Sequence, residues 1–122
     1  MAFSYAGLDH VQVAAPVGTE AEMRKFFGEL LGMRELEKPE ALKKNGGAWF
    51  QCGAQQLHVG VEQEFAPAKK AHPAFLVDNI RELREHLIAN GVTVKDDKNI
   101  TDVMRFFIAD PWGNRLEFME RV

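Results

Sequence analysis

"QQLHVGVE" (residues 55–62) places Leu57, Val59 and Val61 on one phase and Gln56, His58, Gly60 and Glu62 on the other. A period of two is that of a strand with one buried face, and here the second face carries a histidine at mid-strand. Reading outward, "LDHVQVA" (8–14) repeats the alternation, with Val11 and Val13 against His10, Gln12 and Ala14. Between the two lies a helix. Thr19 is placed as its N-cap and Glu22 three residues on completes a capping box. Met23, Phe26, Phe27, Leu30 and Leu31 follow at helical intervals, and Gly32 stands at the C′ position. "MRELE" (33–37) and "GAWFQCG" (47–53) are further strands, punctuated by glycines.

The second half has the same order of elements. "HPAFLV" (72–77) opens it, and Asp78 or Asn79 caps a helix carrying Ile80, Leu83 and Leu87 that stops at Gly91. "VTVKDD", "DVMRFFIAD" and, after the turn "DPWGN", "RLEFMERV" complete it. The expected architecture is α+β: one domain spanning 1–122, built from tandem βαβββ modules (about 7–62 and 72–120) joined by the linker 63–71. Pseudo-twofold packing of the modules would form a cleft between two concave mixed sheets.

The repeat singles out four side chains. His10 and His72 fall in the first strand of each module, 62 residues apart, and His58 and Glu117 in the last, 59 apart. All four sit on the polar phase of strands whose other phase is apolar, so helices covering the apolar faces would leave them on the opposite faces. Three imidazoles and a carboxylate form a ligand set suited to one divalent ion such as zinc, nickel, iron, cobalt or manganese. Each alone has a plainer reading: a strand histidine is usually hydrogen-bonded or solvated, and Glu117 is also an ordinary edge-strand charge. Convergence of all four without a cation would be costly. His86, on the polar side of the second helix, reads as solvated, and Phe26-Phe27 as core. Gln12 shares the face of His10 and reads as pocket wall or ligand support.

Length and composition set the bounds. The chain has 122 residues, 46% hydrophobic and 27% charged, enough for one domain with a core. A net charge of −3 argues against nucleic acid or an anionic membrane as partner. No apolar run is long enough to span a bilayer, and "MAFSYAGLDH" lacks the features of a secretory signal. Cys52 is the only cysteine, so a disulfide within the chain is impossible and a reducing cytoplasm is the expected location.

"LDHVQVAAP", "HPAFLVD" and above all "DPWGNRLEFME", set in paired βαβββ modules, resemble the vicinal oxygen chelate superfamily. This group includes glyoxalase I, fosfomycin and bleomycin resistance proteins, methylmalonyl-CoA epimerase and extradiol dioxygenases. The resemblance runs from about Gly7 to Glu120. It implies metal ligands at His10, His58, His72 and Glu117, with a glutamate in glyoxalase I where this chain has His58. In members with three ligands the set would be His10, His72 and Glu117. It further implies chelation of two adjacent substrate oxygens on a Lewis-acidic metal, and Glu117 as the catalytic base.

The function so implied is a glyoxalase-like enzyme, lyase, isomerase or dioxygenase in type, acting on a small molecule. The alternative is a metal-free protein that sequesters small molecules, as bleomycin resistance proteins do. Arg105 and Arg115 are candidate contacts to an anionic substrate, and Gln12, Trp49, Phe107, Trp112 and Met119 candidate pocket walls. A homodimer is the assembly the resemblance implies.

Overall fold

In the computed structural model, which describes residues 2–122, the chain divides into two compact units, one ending at Phe65 and the other beginning at Ala66. Met1, part of the N-terminal stretch considered above, lies outside the described residues. The first unit runs β1 (His10–Pro16), α1 (Glu20–Met23), a wide π turn (Arg24–Leu30), β2 (Glu35–Leu36), a 3-10 turn (Glu40–Asn45), β3 (Ala48–Cys52) and β4 (Gln55–Glu62). The second runs β5 (Ala74–Leu76), α2 (Ile80–Ala89), β6 (Lys95–Asp97), β7 (Val103–Ala109) and β8 (Arg115–Arg121). Each unit holds a four-stranded mixed sheet, ordered β1-β4-β3-β2 and β5-β8-β7-β6. Its first and last strands pair in parallel and the remaining pairs are antiparallel. The α+β class and the paired strand order are therefore as the sequence leads one to expect. Among the described residues, no helix is long and apolar enough to cross a membrane.

The apolar phase of each sheet is buried. In the first unit Val13, Ala15, Ala48, Phe50, Leu57 and Val59 are buried, as are Met23, Phe26 and Phe27 of the helical segment, and the Phe27 and Phe50 rings lie 5.8 Å apart. In the second, Phe118 has Phe75 on one side and Phe106 on the other, at 5.1 and 5.5 Å, and α2 contributes buried Ile80 and Leu87. Burying a large apolar side chain contributes roughly 1.5–3 kcal/mol, so these faces fix which phase of each strand stays open.

The helix ends depart from the local expectation. Thr19 forms no capping bond; its hydroxyl donates instead to the Pro16 carbonyl at 2.7 Å. The helical segment also widens after Met23, and Leu31 N–H reaches back five residues to Phe26 O at 2.9 Å. Gly32 does close it, at φ 76°. At α2, neither Asp78 nor Asn79 supplies a side-chain cap. Asn79 sits at φ 59°, not in the extended conformation from which a cap side chain reaches forward. The Glu120 carboxylate of β8 takes that role, accepting the Asn79 and Ile80 N–H groups at 3.2 and 3.1 Å.

One further expectation changes. β5 starts at Ala74, so His72 precedes the strand. Pro73 has no N–H to offer a ladder, although its carbonyl still accepts Glu117 N–H at 3.1 Å. Within residues 63–71, Ala68 N–H donates to Asn114 Oδ1 and Ala68 O accepts Arg115 N–H, both at 2.9 Å. Asn114 is buried within the "DPWGN" turn, where Asp110 Oδ1 accepts the Trp112 and Asn114 N–H groups at 3.1 and 2.8 Å. Burial pushes the Asp110 carboxyl above its ordinary range, against the pull of those bonds.

Replacing Glu120 with Ala removes the α2 cap and should lower unfolding free energy by about 1 kcal/mol in urea titrations. Glu20 Oε2 accepts Gly47 N–H at 2.8 Å, and that bond holds the Glu20 carboxyl below its ordinary value. Its stabilisation is present above the unfolded-state value and fades as pH falls through the lower folded one. Glu20→Gln should therefore cost about 1 kcal/mol at neutral pH, a figure already reduced for solvent screening. Unfolding curves at descending pH should show the gap to wild type close once Glu20 is protonated.

Candidate functional site

Register and alternation place the candidate side chains. In the first unit His10 pairs with Gln56, Gln12 with His58, and His58 in turn with Trp49 across β3, so all five share the face opposite the core. The rings of Trp49, His58 and His10 form a stack: Trp49 and His58 are 3.9 Å apart and 5° from parallel, His58 and His10 4.0 Å and 16°. Gln12 lies across Gly60, where a Cβ would come within 2.8 Å of its amide nitrogen.

The histidine tautomers follow from hydrogen bonds. His10 Nδ1 is 2.9 Å from Asp9 Oδ2, which makes Nδ1 the donor and leaves Nε2 with its lone pair. A carboxylate behind an imidazole is the arrangement that orients a metal ligand and raises its basicity. His58 Nε2 donates to Gln56 Oε1 at 2.8 Å. His58 is buried; desolvation, then the neighbouring His10, pull its pKa below the usual histidine value. A bound ion lies close to the plane of its imidazole, at about 2 Å. One ion cannot meet that condition for two rings stacked at 4.0 Å, so His58 and His10 ligate the same ion only if one ring turns.

In the second unit Glu117 pairs with Ala74 on one side and Phe107 on the other, and Met119 with Leu76 and Arg105, so these residues share the face opposite Phe75 and Phe118. His72 Nδ1 lies 2.8 Å from the Lys70 carbonyl, which fixes the proton on Nδ1. Its Nε2 lies 2.9 Å from Glu117 Oε1. Two acceptors face each other across that gap, and only a further proton or a metal ion makes the contact favourable. Donors sharing one ion at bond lengths near 2.1 Å stand about 3 Å apart, so the spacing fits a metal. Glu117 is buried, and its other oxygen is 3.3 Å from Arg105 Nη1.

Arg105 reaches Asp97 Oδ2 at 3.2 Å as well, and its side chain is only 18% exposed. Phe107 is buried beneath this group, with the His72 ring edge-on at 5.5 Å and the Arg105 and Arg115 guanidinium carbons 5.3 and 4.2 Å from its centre. Trp112 sits half-buried in the turn before β8.

Thus His10, His58, Trp49 and Gln12 come together in one unit, and His72, Glu117, Arg105, Phe107 and Arg115 in the other. Among the described residues, neither unit gathers three metal-ligating side chains. The sequence reading missed Asp9, Gln56 and Asp97. Asp9 adjoins His10, and Gln56 precedes His58 by one strand period, so both left a local signal; Asp97 meets Arg105 only through β6–β7 pairing. Cys52 is half-buried, which pushes its thiol up and disfavours the thiolate a nucleophile needs.

A protein from Bacillus anthracis assigned to the glyoxalase family has a solved structure that is similar over the whole of both chains, at 57% identity and a TM-score of 0.98. A glyoxalase family protein from Enterococcus faecalis is similar at 25% identity and a TM-score of 0.74, over 95% of this chain and 98% of its own. A lactoylglutathione lyase from Agrobacterium tumefaciens shares the fold at 21% identity and a TM-score of 0.74, over 95% of this chain and 94% of its own. No curated protein matches. The family profile described as Glyoxalase/Bleomycin resistance protein/Dioxygenase superfamily matches residues 7–118, and the chain belongs to that superfamily.

Proposed function

We propose that the protein is a metal-dependent enzyme of the glyoxalase type, acting on a small molecule with two adjacent oxygen atoms. The observation that carries the proposal is the 2.9 Å contact between His72 Nε2 and Glu117 Oε1, a spacing that two donors to one ion also have, with the other imidazole nitrogen tied to a backbone carbonyl. His10, with Asp9 behind it, and His58, once its ring turns, are the further ligand candidates, in the first unit. A divalent ion held through His72 and Glu117 would supply Lewis acidity to the substrate oxygens. Glu117 moves the proton on and off carbon, and Arg105 at its Oε2 keeps the carboxylate oriented. Phe107, Trp112 and Met119 are the candidate substrate walls in the unit of Glu117, and Trp49 and Gln12 those in the unit of His58. Support for the lyase or isomerase type comes from the resemblance to glyoxalase I at Glu117. A cytoplasmic homodimer completes the reading, in keeping with a single cysteine.

One observation favours the second reading, a binding protein that needs no metal. Gln56 Oε1 occupies Nε2 of His58, and the Trp49–His58–His10 stack offers a flat aromatic surface to a planar ligand.

Plasma mass spectrometry on untagged protein separates the two. Near one divalent ion per chain is expected in the wild type, with loss of most of it in Glu117→Ala and partial loss in His58→Ala. No ion after incubation with nickel, cobalt, zinc or manganese, with small-molecule binding intact in Glu117→Gln, would favour the binding protein.

A further inference from the structure

The two arginines beside Phe107 occupy different chemical situations. Arg105 is spent on the protein: Asp97 and Glu117 both lie within ion-pair distance, and its side chain is largely buried. Arg115 has no carboxylate within ion-pair distance among the described residues. Its guanidinium instead rests over the Phe107 ring, 4.2 Å from the centre. Contact with an aromatic face orients a cation while leaving its N–H groups available. Arg115 also precedes Glu117 by one strand period and therefore projects from the same face. A charge held there lies about 7 Å along the strand from the carboxylate.

We propose that Arg115 is the anion receptor of the site, and that the substrate is a small organic acid whose carboxylate lies a few bonds from its reacting carbon. This rests on the reading of Glu117 given above. The planar fork of a guanidinium pairs with a carboxylate through two parallel hydrogen bonds, and an arginine already held by its neighbours gives up little freedom on binding. Arg105 contributes differently. It is a positioning residue that holds one Glu117 oxygen and leaves the other toward His72.

The test compares acids with their uncharged amides. Lactate, phenyllactate and 2-oxobutyrate, each against its amide, are titrated by calorimetry into nickel-loaded wild type, Arg115→Met and Arg115→Lys. Wild type is expected to bind at least one acid roughly tenfold more tightly than its amide. Arg115→Met should abolish that preference while keeping metal content and melting temperature, and Arg115→Lys should restore part of it. Equal affinity for acid and amide, a preference that survives Arg115→Met, or no binding of any acid at millimolar concentration would overturn the proposal. Metal content, measured on the same samples, reports separately on the reading of Glu117: a protein that holds nickel yet ignores the acid group keeps that reading and loses this one.

Discussion

Parallel pairing of the first and last strands in each unit sets the faces from which His10, His58 and Glu117 project. Strands β1 and β4 run together from His10↔Gln56 to Pro16↔Glu62, and β5 and β8 from Ala74↔Glu117 to Leu76↔Met119. A parallel neighbour cannot be reached by a hairpin, so the helix and two further strands of each unit act as the crossover between them. Because side chains alternate strictly, burying Val59 and Leu57 commits His58 to the other face, and burying Leu116 and Phe118 commits Glu117. A one-residue slip in register would exchange core for site. The packed phenylalanines make such a slip costly, and in that sense the core holds the chemistry in place.

Charges on the sheet distribute themselves by what they can reach. Glu120, on the helix side of β8, meets the first N–H groups of α2, while Glu117 three residues earlier meets His72 and Arg105 on the other side. Two carboxylates on one strand thus serve a helix terminus and a candidate site. The arginines divide in the same way. Arg105 is neutralised by Asp97 across β6–β7, whereas Arg115, at the mouth of the turn 110–114, has only an aromatic ring beneath it. Local chemistry follows from these pairings, not from residue type.

Sequence alone established much of this. Hydrophobic alternation assigns both faces of β1, β4, β5 and β8, and the repeated order of elements yields the α+β class and the two matched sets of candidate ligands. Gly32 and Gly91 mark the ends of the helical segments, both at positive φ. These signals are local: they rest on period and on the conformational freedom of glycine, and neither depends on distant partners. Contacts between strands decided the rest. Helix caps came from Glu120 and not from Asp78 or Asn79, the linker acquired hydrogen bonds to Asn114 and Arg115, and Arg105 found Asp97. So did the difference between His72, poised against Glu117, and His58, stacked between two rings. A one-dimensional pattern fixes the phase of a side chain on its strand, but its hydrogen-bond partner lies across the ladder, where register and packing choose the neighbour.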